Sequence, residues 1–312
     1  MPPRELRTRV TQFAEEEQFG ELGRKARDAL VEALPDGWSF EGKRVLDLGC
    51  GSGRVLRWFA PEAERCEFFG CEIDPASVAW LEQNLSPPFR VFRSDPEPPL
   101  PLESGSLDLI SAISVFTHLD SSWSRWLLDL HRLLRPDGLL LATFLGDGIW
   151  PQGYASRKGV PYDERIGMYV EAPWRGFVDA HGPAVWHSEW WLREHWGRLF
   201  EIDYLETSGF NPFPPLHGGQ GYALMRPRAV ELVPEELERP GGDRRELPAA
   251  LHGAELLRQE FKEQMQHTLA ERDQARSQGD QVAATLRAVR SSRVMRLSEP
   301  ARRAWYRLRG GP

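Results

Sequence analysis

An apolar strand that ends in an acid, followed by three alternate glycines, constrains the fold of this chain more than any other feature. The run VLDLGCGSGR covers residues 45–54, with Asp47 two residues before the first glycine. Glycine tolerates tight turns and lets a ligand approach the backbone, and the helix that follows presents its first amides to that ligand. This combination predicts the nucleotide-type site of a doubly wound α/β sheet. Because Asp47 would repel a pyrophosphate, the run favours a ligand with a cationic amino group.

Periodicity along the chain supports the same fold class. Between residues 43 and 145 strand and helix patterns alternate, which predicts a parallel sheet. The predicted strands are 44–48, 67–71, 89–92, 107–113 and 139–144 and, after a break, 199–206 and 221–225. The first 40 residues predict a helical lead-in with Leu22, Ala26, Leu30 and Leu34 on one face. That lead-in either packs on the sheet or caps the ligand site.

Composition argues against several classes of protein. The 312 residues carry a formal charge of −7, which disfavours general affinity for nucleic acid. Cys50, Cys66 and Cys71 lack a zinc-ligand spacing, so the sequence predicts reduced thiols and no metal site. The first residues lack the apolar core of a signal peptide, and no apolar run approaches the ~20 residues that span a bilayer. We therefore expect a cytoplasmic protein, either free or peripheral at the inner face of the membrane.

Two motifs carry a resemblance to a known family. VLDLGCGSGR resembles motif I of the class I S-adenosylmethionine-dependent methyltransferases, and FFGCEIDPASVAWLEQNL resembles their second motif. The dinucleotide pattern G-x-G-x-x-G is not matched, because Arg54 and Val55 follow Gly53. The resemblance covers about residues 40–228 and implies a Rossmann-like, mostly parallel sheet of seven strands. It also implies S-adenosylmethionine as cofactor and S-adenosylhomocysteine as product.

The resemblance assigns residues to the cofactor. Asp47 would accept hydrogen bonds from its amino group, Glu72 from its ribose hydroxyls, and Asp95 from its adenine amino group. Ser114, in the turn after LDLISAI, would pass near the methionine part and the methyl to be transferred. The implied cofactor-binding residues are Asp47, Gly49, Gly51, Gly53, Glu72, Asp95 and Ser114. Asp74, by contrast, is predicted to cap a helix that starts at the next residue.

The implied reaction depends more on alignment of the reacting atoms than on acid–base catalysis by the protein. A sulfonium methyl is a strong electrophile, so the acceptor atom, the methyl carbon and the sulfur mainly have to lie in line. A hydroxyl acceptor also benefits from a general base, which adds about 10²–10⁴-fold to the rate. The candidate bases are His118, His181 and His187, each of which could instead have a packing or surface role.

The predicted function is methyl transfer to a hydroxyl of a sugar or surface-glycan intermediate. The sugar acceptor rests on further resemblance, because SVFTHL, HSEWWLREHWGRLFEI and the tail SSRVMRLSEPARRAWYRLR are similar to segments of bacterial surface-polysaccharide enzymes. Two alternatives stay open. One is a methyltransferase of a small metabolite, a lipid or a protein side chain, and the other is a non-catalytic scaffold that acts through its helical extension.

Residues 146–187 interrupt the periodic pattern and are rich in glycine, proline and aromatic residues. They predict an insertion rather than a core element, and long ordered insertions are often functional lids. The aromatic side chains either stack on a sugar ring or form a small satellite core. Arg157, Arg165 and Arg175 would suit a phosphate or carboxylate on the acceptor.

A second helical region is predicted beyond a linker rich in proline, glycine and glutamate. Apolar residues lie four apart from Leu257 to Leu269, and a weaker stripe continues to Val289. The stripe predicts either a short coiled coil or a solvated amphipathic helix. The predicted segments are a lead-in over 1–40, a methyltransferase domain over 41–228, a linker over 229–249 and a helical extension over 250–312.

The extension also carries the predicted partners. A second copy of the chain or a protein of an assembly complex would bind residues 250–290. From Arg287 onward eight arginines accompany a single acid, Glu299, which suits an anionic membrane surface or an acidic partner. No nucleic-acid partner is expected, and the acceptor is expected to be a small molecule or a glycan.

Overall fold

A computed structural model describes residues 1–10, 15–171, 183–210 and 219–291 of the chain. The chain divides into two units, Met1–Leu257 and Arg258–Pro312. In the first unit one sheet has apolar clusters on both faces, and helices pack against each cluster. Among the described helices, none is both long and apolar enough to cross a membrane.

The secondary structure follows the predicted alternation. The strands are β1 (Arg44–Leu48), β2 (Glu67–Glu72), β3 (Arg90–Arg93), β4 (Leu107–Ala112), β5 (Leu134–Gly146), β6 (Met168–Glu171), β7 (Ala184–His187), β8 (Phe200–Phe210) and β9 (Gln220–Pro227). The helices are α1 (Arg4–Val10), α2 (Glu16–Ala33), α3 (Ala60–Ala63), α4 (Pro75–Asn84), α5 (Trp123–Leu133), α6 (Ser156–Lys158), α7 (Glu189–His195), α8 (Pro234–Glu238) and α9 (Glu246–Ser291). Short 3-10 turns cover Leu56–Phe59, Asp147–Ile149 and Trp196–Arg198, and a π-helical turn covers Pro151–Ala155.

The central sheet has the predicted Rossmann-like arrangement. Seven strands lie in the order β3-β2-β1-β4-β5-β9-β8. The first five are parallel, and β9 is antiparallel to both of its neighbours. Every residue of β4 is buried, as expected for a central strand covered on both faces. The register places Ser111 of β4 opposite Asp47 of β1.

The sheet has nine strands rather than seven, because part of the insertion joins it. β7 pairs in parallel with the end of β5, where Leu145 lies opposite Trp186, and β6 pairs antiparallel with β7. The prediction that residues 146–187 lie outside the core elements is therefore wrong for these two strands. Each strand is only four residues long, and periodicity is ambiguous in runs that short.

The N-terminal helices both pack on the sheet and cover the glycine turn. Leu30 in the apolar stripe of α2 is 1% exposed. A Cβ on Gly23 would lie 2.0 Å from Arg54 O, so the backbone of α2 touches the chain that follows the glycines. Ser52 Oγ donates to Leu6 O at 3.2 Å, which brings α1 against the same turn. The lead-in therefore packs on the sheet and also contacts the glycine turn, while its role as a cap of the ligand site stays a prediction.

The stretch predicted as a linker packs within the first unit. Leu237 of α8 is completely buried, and its carbonyl accepts from His195 Nδ1 at 2.7 Å. His195 Nε2 lies 2.9 Å from the Glu246 carboxylate, which also accepts from Gly241 N at 3.1 Å. The long helix α9 begins at Glu246, so a helical C-terminal region is confirmed and starts within the stretch predicted as linker.

Candidate active site

The glycine turn joins β1 to the first helical turn after it. Gly49, Gly51 and Gly53 have φ angles of 69°, 56° and 74°, a region that residues with a Cβ rarely adopt. Gly49 N donates to Cys71 O at 2.8 Å, which anchors the turn at the end of β2. A Cβ on Gly49 would also meet Val115 Cγ2 at 2.7 Å. The turn therefore requires glycine for its backbone conformation and for its close packing.

Asp47, the penultimate residue of β1, is a buried carboxylate with one oxygen unpaired among the described residues. Oδ1 accepts from Ser111 Oγ at 3.1 Å, whereas Oδ2 is buried without a hydrogen-bond partner among the described residues. Burial raises the pKa of Asp47 to about 7, opposed by the Ser111 hydrogen bond and by the charge of Arg54. A buried acceptor with no donor beside a glycine turn fits the cationic amino group of the predicted cofactor.

Glu72 ends β2, and the main chain fixes its carboxylate. Oε2 accepts from Gly51 N at 2.8 Å, and Oε1 accepts from the amides of Ile73 and Asp74, each at 2.9 Å. A carboxylate offers about four lone-pair sites, so capacity remains for further donors. Glu72 thus lies at the rim of the glycine turn, in a position to accept from ribose hydroxyls.

Two further acids, Asp95 and Asp74, follow β3 and β2 and differ in their surroundings. Asp95 follows β3 and is exposed, in the loop next to the Glu72 end of β2. Asp74 caps α4, because its Oδ2 accepts from Ser77 N at 2.9 Å, which confirms the predicted cap. Arg9 of α1 forms a salt bridge with Asp74 and so ties the lead-in to the rim of the site.

A cluster of three polar side chains fixes Ser114 just after β4. Ser114 has a φ of 60°, and a residue with a Cβ in this region stores strain. Its amide donates to Thr143 Oγ1 at 2.7 Å, and its Oγ accepts from Gln220 Nε2 at 2.9 Å. Thr143 Oγ1 in turn donates to Gln220 Oε1 at 2.6 Å. The sequence prediction missed Thr143 and Gln220, since no local motif marks them and only the order β4-β5-β9 brings them to Ser114.

His118 lies four residues beyond Ser114 and is held by a backbone carbonyl. Its Nδ1 lies 2.9 Å from Pro183 O. A carbonyl oxygen only accepts hydrogen bonds, so Nδ1 carries a hydrogen and the neutral ring carries its lone pair on Nε2. The side chain is half-buried. The contact therefore selects the tautomer in which Nε2 can take a proton.

The other two candidate bases differ from His118. His187 ends β7 and is 1% exposed, with the Trp191 and Trp196 ring centroids 5.4 and 5.8 Å from its own. Burial lowers the pKa of His187 to about 3, with a smaller contribution from His195. A ring that resists protonation so strongly is a poor acceptor for a hydroxyl proton. His181 lies outside the described residues.

The aromatic residues of the insertion that the structure describes pack mainly on one another. The members of this satellite core are Trp150, Tyr154, Tyr169 and Trp186, each between 1% and 3% exposed. Arg157 donates to both oxygens of the buried Glu171, at 2.8 and 2.9 Å, and Trp186 Nε1 donates to the same carboxylate at 3.2 Å. Arg157 therefore pairs within the protein, as does Arg165 with Asp163. Arg175 lies outside the described residues.

Comparison with known proteins shows which protein family the chain is similar to. A sequence profile described as a methyltransferase domain matches residues 15–202. Malonyl-(acyl-carrier protein) O-methyltransferase of Enterobacter lignolyticus is 31% identical over 140 residues, 44% of this chain and 51% of that relative. Phthiotriol/phenolphthiotriol dimycocerosates methyltransferase 1 of Mycobacterium ulcerans is 31% identical over 105 residues, 33% of this chain and 38% of that relative. The chain thus spans about half or less of the length of these relatives.

One solved structure has the same fold, and a second is similar to part of the chain. A Haloferax volcanii methyltransferase in complex with the Trm112 methyltransferase activator superposes with a TM-score of 0.50 and 12% identity. The superposition covers 74% of this chain and 100% of that one. An S-adenosylmethionine-dependent methyltransferase from Mesorhizobium loti gives a TM-score of 0.49 and 18% identity, over 66% of this chain and 99% of its own.

Proposed function

The chain belongs to the methyltransferase domain family, and on that premise we propose that it methylates a hydroxyl oxygen, with His118 as the general base. The acceptor we propose is a hydroxyl of a sugar or surface-glycan intermediate. S-adenosylmethionine is the cofactor and S-adenosylhomocysteine the product. The single observation that carries the choice of a hydroxyl is the contact between His118 Nδ1 and Pro183 O.

The chain's own residues have three tasks in this reaction. Asp47 pairs with the amino group of the cofactor, and Glu72 accepts from its ribose hydroxyls. Ser114, fixed by Thr143 and Gln220, holds the turn after β4 beside the reacting atoms. The bound cofactor supplies an electrophilic methyl on a sulfonium, which an aligned nucleophile displaces in line.

The presence of His118 favours a hydroxyl acceptor over a carboxylate acceptor. A hydroxyl is a weak nucleophile until its proton is removed, whereas a carboxylate is already ionised at neutral pH. With the Nδ1 hydrogen directed at Pro183 O, Nε2 is the ring atom that would take that proton. The position supports this role, because His118 follows Ser114 by one short turn at the carboxyl edge of the sheet.

The sugar part of the proposal rests on the likeness of three segments, SVFTHL, residues 187–202 and the arginine-rich tail, to surface-polysaccharide enzymes. A carboxyl group on a carrier protein is the second candidate, favoured by the malonyl-(acyl-carrier protein) O-methyltransferase likeness. A lipid acceptor is a third, favoured by the phthiotriol relative. A non-catalytic scaffold is disfavoured by the unpaired Asp47 oxygen and the intact glycine turn.

The test is a panel of acceptors with product detection. Sugar nucleotides and glycans with free hydroxyls, a malonyl thioester of acyl carrier protein and a lipid alcohol are each incubated with the protein and S-adenosylmethionine, and S-adenosylhomocysteine is measured. We expect turnover on a hydroxyl acceptor. We also expect His118→Asn, whose amide can still donate to Pro183 O, to lower kcat by about 10²–10⁴-fold.

A matched control separates the base from general damage. His131 lies near the end of α5, at the amino end of β5 and away from the carboxyl ends of the strands. Its Nε2 also contacts a backbone carbonyl, Arg228 O at 2.8 Å. His131→Asn should leave kcat within about twofold of the wild type. Turnover on the malonyl thioester alone, or equal rates in wild type and His118→Asn, would contradict the proposal.

A further inference from the structure

The second unit presents a stripe with the spacing of a helix–helix seam. Along α9 the stripe positions alternate in steps of four and three residues. The nine positions are Phe261, Met265, Thr268, Arg272, Ala275, Gly279, Val282, Leu286 and Val289. This alternation averages 3.5 residues per turn, so one face stays turned toward a partner helix over the whole length. We call these nine residues the seam.

The large apolar side chains of the seam are exposed to solvent within the chain. The exposed fractions are 55% for Phe261, 59% for Met265, 60% for Val282, 53% for Leu286 and 48% for Val289. Single exposed apolar residues are ordinary on protein surfaces. An aligned series at coiled-coil spacing is different, because it marks a surface that buries itself against another helix.

We propose that the seam binds the seam of a second copy of this chain in antiparallel orientation, with the two-fold axis between Asp273 and Gln274. Side-chain size along the seam supports this orientation. Large apolar residues occupy both ends, and small or polar residues occupy the four positions at its centre. A sequence with matching ends is complementary to its own reverse, as a closed two-fold interface requires.

The antiparallel register pairs eight of the nine seam residues with one another, and Val289 falls opposite the partner's Arg258. Phe261 meets the partner's Leu286, Met265 meets the partner's Val282, Thr268 meets the partner's Gly279, and Arg272 meets the partner's Ala275. At the centre, Arg272 is thus opposite an alanine and Thr268 opposite a glycine, so the larger side chain of each pair fills the space that the smaller one leaves. Toward the ends, apolar side chains meet apolar side chains and leave water together.

A parallel pair would fit worse. It would set Arg272 against the partner's Arg272 in the seam, and like charges at such a position destabilise the pair. It would also place Gly279 against the partner's Gly279, which leaves a gap that no side chain fills. The antiparallel register avoids both.

Charge along the helix favours the same orientation. Residues 258–273 carry three cations and four anions, and residues 274–289 carry two cations and one anion. Antiparallel pairing sets the net negative half of one helix beside the net positive half of the other. The gain is modest for exposed charges, but it has the right sign for orientation.

The first experiment measures the oligomeric state of the full chain by analytical ultracentrifugation over a range of concentrations. We expect a dimer, and we expect Met265→Glu to weaken association at least about 100-fold, since it buries a charge in the seam. Gln266→Glu adds the same charge one residue away from the seam, on an exposed position, and should leave the dimer intact. A monomeric wild type, or equal association of the two variants, would overturn the proposal.

The second experiment measures orientation by disulfide cross-linking. In a Cys66→Ser background, where Cys50 and Cys71 are buried, one sample carries Met265→Cys and another carries Val282→Cys. Antiparallel pairing predicts cross-links in the mixture of the two samples and in neither sample alone. Cross-linking within the Met265→Cys sample would establish a parallel pair and overturn the proposal.

The third measurement assigns the seam if it does not bind a second copy. Binding of a monomeric chain to vesicles of anionic lipid, lost in Met265→Glu, would assign the seam to a membrane and overturn the dimer. Binding of S-adenosylhomocysteine serves as the folding check for every variant. The proposal does not depend on the acceptor, so failure of either proposal leaves the other standing.

Discussion

At the scale of single residues, Asp47 and Glu72 lie near the carboxyl ends of neighbouring strands but differ in their hydrogen-bond partners. The Glu72 carboxylate accepts three backbone amides, at 2.8 to 2.9 Å. Asp47 Oδ2 has no donor among the described residues, and Oδ1 accepts from Ser111 Oγ at 3.1 Å. Glu72 is therefore supported by the protein itself, whereas the buried charge of Asp47 would be compensated by the cationic amino group that we propose it binds.

This difference predicts that cofactor affinity depends on pH through Asp47. The pKa of Asp47 is raised to about 7, so the carboxyl is mostly neutral at pH 6 and mostly ionised at pH 8. A cationic amino group prefers the ionised form, and we expect affinity to fall about tenfold from pH 8 to pH 6. Calorimetry with S-adenosylhomocysteine, which carries the same amino group, measures the change. Asp47→Asn should bind weakly and equally at both pH values, and an unchanged wild-type affinity would contradict the prediction.

At the scale of elements, local runs could be predicted and contacts between distant strands could not. β1 was predicted at 44–48 and is observed at Arg44–Leu48, because an apolar run and a glycine turn define it locally. β6 and β7 were missed, since their four-residue runs have no distinctive period and gain stability from pairing with β5. For the same reason the turn that contains Ser114 could be predicted from the apolar run before it, but the contacts of Ser114 with Thr143 and Gln220 could not. These two residues reach Ser114 only through the pairing of β4 with β5 and of β5 with β9.

The contact between these strands predicts a positioning role for Gln220. Gln220→Leu removes the donor to Ser114 Oγ and the acceptor for Thr143 Oγ1. We expect S-adenosylhomocysteine affinity to fall about tenfold, because Ser114 can then leave its strained conformation. Ser114→Gly in the same chain should restore part of the affinity, because glycine adopts a positive φ without strain. Calorimetry on the single and double variants measures both effects, and a double variant no better than Gln220→Leu would exclude this role.

At the scale of the whole molecule, buried acids have different surroundings at the amino ends and at the carboxyl ends of the strands. Asp108, at the start of β4, is 3% exposed and accepts from Lys43 Nζ at 3.0 Å and from Arg44 N at 2.9 Å. Burial alone would raise the pKa of Asp108, but these hydrogen bonds hold it below its ordinary value. Asp47, at the carboxyl ends of the strands, has a raised pKa and an oxygen that finds no hydrogen-bond partner in the part of the chain that the structure describes. The pairing of Asp108 at the amino ends of the strands therefore stabilises the fold, whereas burial of the Asp47 charge at the carboxyl ends costs stability, as expected if the proposed binding site lies there.

The pKa of Asp47 is raised and that of Asp108 is lowered, so we expect substitution of these two carboxyls to change the stability of the fold in opposite directions. The Asp47 carboxyl has an ordinary value near 3.8 when unfolded and about 7 when folded, so the ligand-free fold loses stability as pH rises between these values, at about 1.4 kcal/mol per pH unit. Asp47→Asn should therefore raise Tm in thermal denaturation, by several degrees at pH 8 and by less at pH 5. Asp108→Asn should lower Tm at both pH values, because its folded pKa is depressed and its pairing is present above the unfolded pKa. A fall in Tm for Asp47→Asn at pH 8 would mean that the Asp47 charge is compensated within the protein and is not reserved for the ligand.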